Sequence, residues 1–108
     1  DLAMRVFILS IFCLCFVSAV QAKTVVVEIY KKKFIPAEIT IEKGETVIWK
    51  NVEKRQYHNV WFKQIDTEEP DYLFPGENYQ RTFNEQGEFP YECGPHPKMT
   101  GRVTVSSK

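Results

Sequence analysis

Four residues of this 108-residue chain combine into a set that could hold a transition metal: His58, Cys93, His96 and Met99. Three of them fall in one short segment, Tyr91 to Met99, where a thiol, an imidazole and a thioether recur at steps of three. Pro95 and Pro97 stiffen that segment, and a loop leaving a strand end can turn three such side chains towards one point. The fourth ligand must then come from elsewhere, and His58 is the only other histidine. Two imidazoles and a thiolate, with a methionine as a weak and long axial ligand, suit copper in both of its oxidation states and define the type 1, or blue, copper site. Structural zinc accepts similar donors but has no use for the thioether. Singly, a cysteine, a histidine or a methionine is more often packing than ligand. The weight lies in their falling into one set together.

That set gains force from what precedes it. Arg5 is followed by an apolar run from Val6 to Val17 and then by Ser18, Ala19, Val20, Gln21 and Ala22. This is the layout of a secretory signal peptide, with cleavage expected after Ala22. An uncleaved anchor fits less well, because the run is shorter than the roughly 20 apolar residues a spanning helix needs. Residues 1–3, ahead of Met4, are read as lying outside the natural start. Without residues 1–22, Cys93 and Met99 become unique in the mature domain, 23–108, and no disulfide can form within it. A lone thiol sent to an oxidising compartment needs a protecting role, and metal ligation is one. The expected location is the periplasm, reached by bacterial-type export.

The elements that must position the ligands are strands. From Lys23 onward, β-branched and aromatic residues alternate in short runs bounded by Gly, Pro and Asn, and helical periodicity is absent. Strands are expected at Thr24 to Tyr30, Glu38 to Glu42, Thr46 to Lys50, His58 to Lys63, Asn78 to Phe83, Glu88 to Cys93 and Gly101 to Ser106. Such spacing argues for an all-β sandwich or barrel. Gln64 to Glu77 breaks the pattern and reads as a surface excursion. Its acidic residues 66–71, like Lys31 to Lys33, are taken as solvated charge rather than a docking patch.

With those residues in view, the sequence resembles the cupredoxins. It is most similar to the amicyanin branch, with plastocyanin and pseudoazurin as relatives. Phe34, Pro36, Ile39, Ile41, Gly44, Val47, Trp49 and Asn51 fit the family's run into the first ligand, which His58, Asn59 and Val60 continue. Phe83, Gly87, Phe89, Tyr91, Cys93, His96, Met99, Gly101 and Val103 fit the ligand loop and the last strand. The two-residue gap between His96 and Met99 matches the short amicyanin loop. The resemblance implies a Greek-key β-sandwich of about seven or eight strands, one type 1 copper ion at its end, and one-electron exchange with a protein donor and a protein acceptor. It also implies that Asn59 ties the first-ligand loop to the cysteine loop and that its backbone amide donates to the sulfur; an ordinary strand-edge Asn is the alternative. Departures from the family are a residue more between Asn51 and His58, Tyr57 where proline is common, Lys98 where amicyanin is apolar, and Pro90 inside a strand.

These features order the function classes. Fourteen basic and fourteen acidic residues cancel, which gives nucleic acid no electrostatic hold. No Ser-His-Asp set or Gly-rich phosphate loop is present, and no histidine remains for a second metal centre, so an enzyme is not expected. The leading expectation is a monomeric electron carrier with no membrane span after cleavage. In it His96, flanked by Pro95 and Pro97, exposes an imidazole edge for electron entry and exit. The alternative is a periplasmic copper-binding or delivery protein without a redox partner.

Overall fold

A computed structural model describes residues 23–107; the expected signal segment lies outside them. The chain forms β1 (Thr24–Tyr30), β2 (Lys33–Ile35), β3 (Glu38–Glu42), β4 (Thr46–Asn51), β5 (Asn78–Thr82), β6 (Gly87–Glu92) and β7 (Thr100–Ser106). One sheet has the order β2-β1-β4-β5 and the other β3-β7-β6. β1 pairs with β4 in parallel, from Thr24 opposite Thr46 to Ile29 opposite Asn51, and β3 pairs with β7 in parallel. Because the chain changes sheets after β2, β3 and β5, sequence neighbours face one another across the core. The result is the all-β Greek-key sandwich expected.

Period-two patterning sets what each sheet buries. Val27 and Ile29 of β1, Val47 and Trp49 of β4, Ile41 of β3, and Val103 and Val105 of β7 turn inward. An aromatic group joins the layers: Trp49 meets Tyr91 of β6 at 5.4 Å between ring centroids, and Phe62 meets both rings and Phe83. Such edge-on and tilted contacts add about 0.5–1.5 kcal/mol each beyond area burial. Tyr91 stands two residues before Cys93, so this packed layer is the floor under the ligand loop. A side chain at Gly101 would collide with the Tyr91 ring, which makes glycine the residue that fits there.

Two elements differ from the sequence expectation. His58 to Lys63 is not a strand: it is pinned by single bridges, His58 to Leu73 and Trp61 to Glu92, and crosses from one to the other. Its residues 58–60 are all buried, so it lacks the two faces of a half-buried strand. Conversely, β2 forms where only a lysine run stood out. Lys31 and Lys32 take φ of 51° and 56°, the consecutive left-handed pair of a two-residue hairpin turn that closes Tyr30 on Lys33. That turn normally announces itself as Asn-Gly, and Lys-Lys gives no such signal. Pro90 sits on the edge strand β6, opposite Arg102. The Arg102 N–H donates to Ala37 instead, so this pair exchanges no ladder bond and proline's missing N–H is not needed.

Candidate metal centre

The ligand loop closes on itself through its backbone. The His96 N–H donates to Cys93 O (3.1 Å), the Met99 N–H to His96 O (2.8 Å), and the Cys93 N–H to Met99 O (3.0 Å). The steps of three in the sequence are thus two successive turns, which place Cys93, His96 and Met99 on one small ring. His58 is brought to that ring by two anchors. It exchanges both backbone bonds with Leu73, and three residues on Trp61 exchanges both with Glu92, the neighbour of Cys93.

Nδ1 of His58 and Nδ1 of His96 each approach Cys93 Sγ to 3.6 Å. The three donor atoms lie within 4.8 Å of one another. Cys93 and His58 are fully buried, Met99 is 5% exposed, and His96 is half-buried between Pro95 and the exposed Pro97. Nε2 of His58 lies 2.9 Å from Glu53 Oε2. An ionised carboxylate can only accept, so Nε2 carries the proton and Nδ1 keeps its lone pair directed at the sulfur. Desolvation pushes the Glu53 carboxyl up, but bonds from His58 and from the backbone N–H groups of Lys32 and Lys31 outweigh it and hold it below the usual carboxylate value.

Burial pushes the Cys93 thiol up, with Glu69 and Glu92 adding to it, while backbone N–H groups of Asn59 and His96 act the other way. A bound cation reverses that balance, since a coordinating thiol loses its proton. His96 is held below the ordinary histidine value, chiefly by burial, with the Lys32 charge adding to it. Its ring therefore stays neutral and able to ligate at neutral pH.

Asn59, fully buried, spans the two ligand loops. Its Oδ1 accepts the Gly94 N–H at 2.7 Å, and its Nδ2 donates to Glu69 Oε2 and to Pro70 O. A side chain at Gly94 would meet the Glu69 carboxylate, the end of a flexible exposed side chain, which would have to move aside and give up its bond to Asn59. Asn51 performs the analogous task one loop earlier. Its Oδ1 accepts the Glu53 N–H and its Nδ2 donates to Gln56 O and Leu73 O, shaping the turn that carries Glu53 under His58. Sequence reasoning missed Glu53 and Glu69. The only advance signal for Glu53 was an acid five residues before a ligand histidine, and Glu69 was counted among solvated loop charges. Asp66 of that loop is likewise engaged, in a two-bond pair with Arg81.

The donor set fits one type 1 copper ion: two imidazole Nδ1 atoms facing one buried sulfur, and Met99 buried on the same closed loop. Residues 21–106 match the family described as copper binding proteins, plastocyanin/azurin family. Amicyanin of Paracoccus versutus is 43% identical over 90 residues, covering 80% of this chain and 67% of that one. Amicyanin-alpha of Methylorubrum extorquens is 40% identical over 83 residues, covering 73% and 69%. The crystal structure of the Paracoccus versutus amicyanin superposes with a TM-score of 0.69 at 40% identity, covering 81% of this chain and 85% of that one. The chain belongs to the plastocyanin/azurin family of copper-binding proteins, and it is an amicyanin-like type 1 copper protein.

Proposed function

We propose that this protein carries single electrons between two larger redox proteins, with His96 as the port through which they enter and leave. The observation that carries this reading is an asymmetry between the two imidazoles. His58 is sealed at 0% exposure, whereas the His96 ring reaches the surface beside Pro95 and Pro97. Bound copper would supply a one-electron Cu(II)/Cu(I) couple. The chain's part is to keep the donors still. Glu53 fixes the His58 tautomer, Asn59 clamps the two ligand loops, and its backbone N–H beside Cys93 Sγ orients and tunes the sulfur. Donors locked by packing and outer hydrogen bonds need little rearrangement between oxidation states, which is what rapid exchange requires.

Both histidines of the sequence belong to this one centre, which leaves no imidazole for a substrate-binding metal. The reading is therefore of a carrier and not an enzyme. Residues 1–22, by their composition, support export to the periplasm. Copper delivery without a redox partner is the competing role, and the buried donors argue against it. The deciding experiment loads the domain with copper, cycles it with ascorbate and an oxidant, and measures self-exchange by NMR line broadening. Reversible cycling with fast exchange supports the carrier. Rapid loss of copper to a weak chelator would sink it.

A further inference from the structure

The surface around His96 carries a feature that the ligand geometry does not explain. Three shallow hollows adjoin the ligand loop. One is formed by Lys32, Pro95, His96, Pro97, Lys98 and Met99, a second includes Arg55 and Tyr57 with Pro95 and His96, and a third sets Lys32, Lys33 and Lys98 around Met99. Lys32, Arg55 and Lys98, from three separate segments, thus line hollows that include His96, Lys33 joins Lys32 and Lys98 beside Met99, and all four are exposed. No Asp or Glu lines any of these hollows. Of the carboxylates close to the ligand loop, Glu53 is turned inward, where its Oε2 is occupied by the His58 ring and the Lys32 N–H, and Glu69 lies on the Gly94 side, bonded to Asn59.

This concentration is not a by-product of a basic protein. Lysine and arginine balance aspartate and glutamate, 14 against 14, so the field at His96 arises from placement. Among the described residues none of these four cations is in an ion pair, whereas Lys63 is paired with Glu92, Arg81 with Asp66 and Arg102 with Glu88. The turns of the opposite end, between β3 and β4 and between β5 and β6, carry Glu45 and Glu85 beside the single cation Lys43. Unpaired cations ringing a half-apolar port attract opposite charge and steer it to that port.

We propose that the His96 face is a docking surface for a redox protein whose own electron-exchange face is acidic, guided by the collar of Lys32, Lys33, Arg55 and Lys98. The proposal rests on His96 being the electron port. The collar raises the encounter rate with an acidic face, and Pro95 and Pro97 supply the apolar contact beside His96.

The test uses the copper-loaded protein and two outer-sphere oxidants of opposite charge, ferricyanide and tris(phenanthroline)cobalt(III), in stopped flow. For ferricyanide, oxidation of the reduced protein should slow about tenfold between about 10 mM and about 200 mM salt, and for the cobalt complex it should quicken. The triple substitution Lys32→Glu, Arg55→Glu, Lys98→Glu should reverse both trends while the blue spectrum persists. Lys43→Glu, in the turn at the far end, should leave them unchanged. A blue protein whose rates ignore salt with both oxidants would overturn the collar while leaving the carrier reading intact. Co-sedimentation with phosphatidylglycerol vesicles combined with such salt-insensitive rates would reassign the cations to a lipid surface. Failure to become blue at all would instead remove the electron port on which the proposal stands.

Discussion

One carboxylate oxygen of Glu53 serves two partners: it accepts from Nε2 of the buried ligand His58 at 2.9 Å and from the backbone N–H of Lys32 at 3.2 Å. The left-handed turn at Lys31 and Lys32 and the metal centre are therefore held by the same group, and a change at either should be felt at the other.

The first expectation concerns Glu53 itself. Glu53→Ala leaves the His58 Nε2–H without a buried acceptor and frees the ring to take the other tautomer. Copper affinity should fall about 10–100-fold, the usual consequence of losing an outer partner of a ligand histidine. Competition against a chelator of known affinity reads this directly, and an unchanged affinity would show that packing alone orients His58.

The turn offers a test of the other partner. Two non-glycine residues in the left-handed region cost on the order of 1–2 kcal/mol each. Lys32→Gly should relieve one of them and raise the denaturation midpoint, by about 1 kcal/mol in stability, with the copper spectrum retained. A fall in stability would show that the Lys32 side chain holds the hairpin.

Asn59 and Gly94 can be examined as a coupled pair of loops. Asn59→Ala leaves the part-buried Gly94 N–H unpaired and should destabilise the domain by about 1–3 kcal/mol. Gly94→Ala drives a methyl group into the Glu69 carboxylate. Adding Glu69→Ala should restore much of what Gly94→Ala loses, and additive losses in the double variant would mean that Glu69 is not the obstacle.

Alkaline pH probes the aromatic floor. Burial pushes the Tyr91 phenol up to about 12 from 10.0, against a small opposing influence of Trp49. A raised folded value means that the neutral form is the one the fold favours. The contribution is complete below pH 10 and is lost as pH rises from 10 towards 12, because the unfolded chain ionises first. The loss should be on the order of 2 kcal/mol. Denaturation curves of wild type and Tyr91→Phe should diverge only in that window, and parallel pH profiles would place the titration elsewhere.

The ligand set was legible because the chain has so few residues of the right types, and because steps of three translate directly into successive turns. The strands were legible where one face is buried, as in β1, β4 and β7. What escaped were features set by tertiary context. The His58 crossing looked like a strand because its apolar content was read without its two-sided burial. β2 was hidden behind a turn with uncharacteristic residues. Glu69 and Asp66 looked like surface charge and Glu53 drew no reading, since no sequence pattern shows which carboxylate folds back onto an amide, an imidazole or a guanidinium.

Cys93 Sγ, with the two histidine nitrogens facing it, makes a type 1 copper centre. Adding Cu(II) to the purified domain and recording visible and EPR spectra beside Cys93→Ser tests it most directly. The predicted result is an intense sulfur-to-copper charge-transfer band with a narrow copper hyperfine splitting, both absent from Cys93→Ser. A colourless wild type, or a Cys93→Ser protein with the same band, would contradict it.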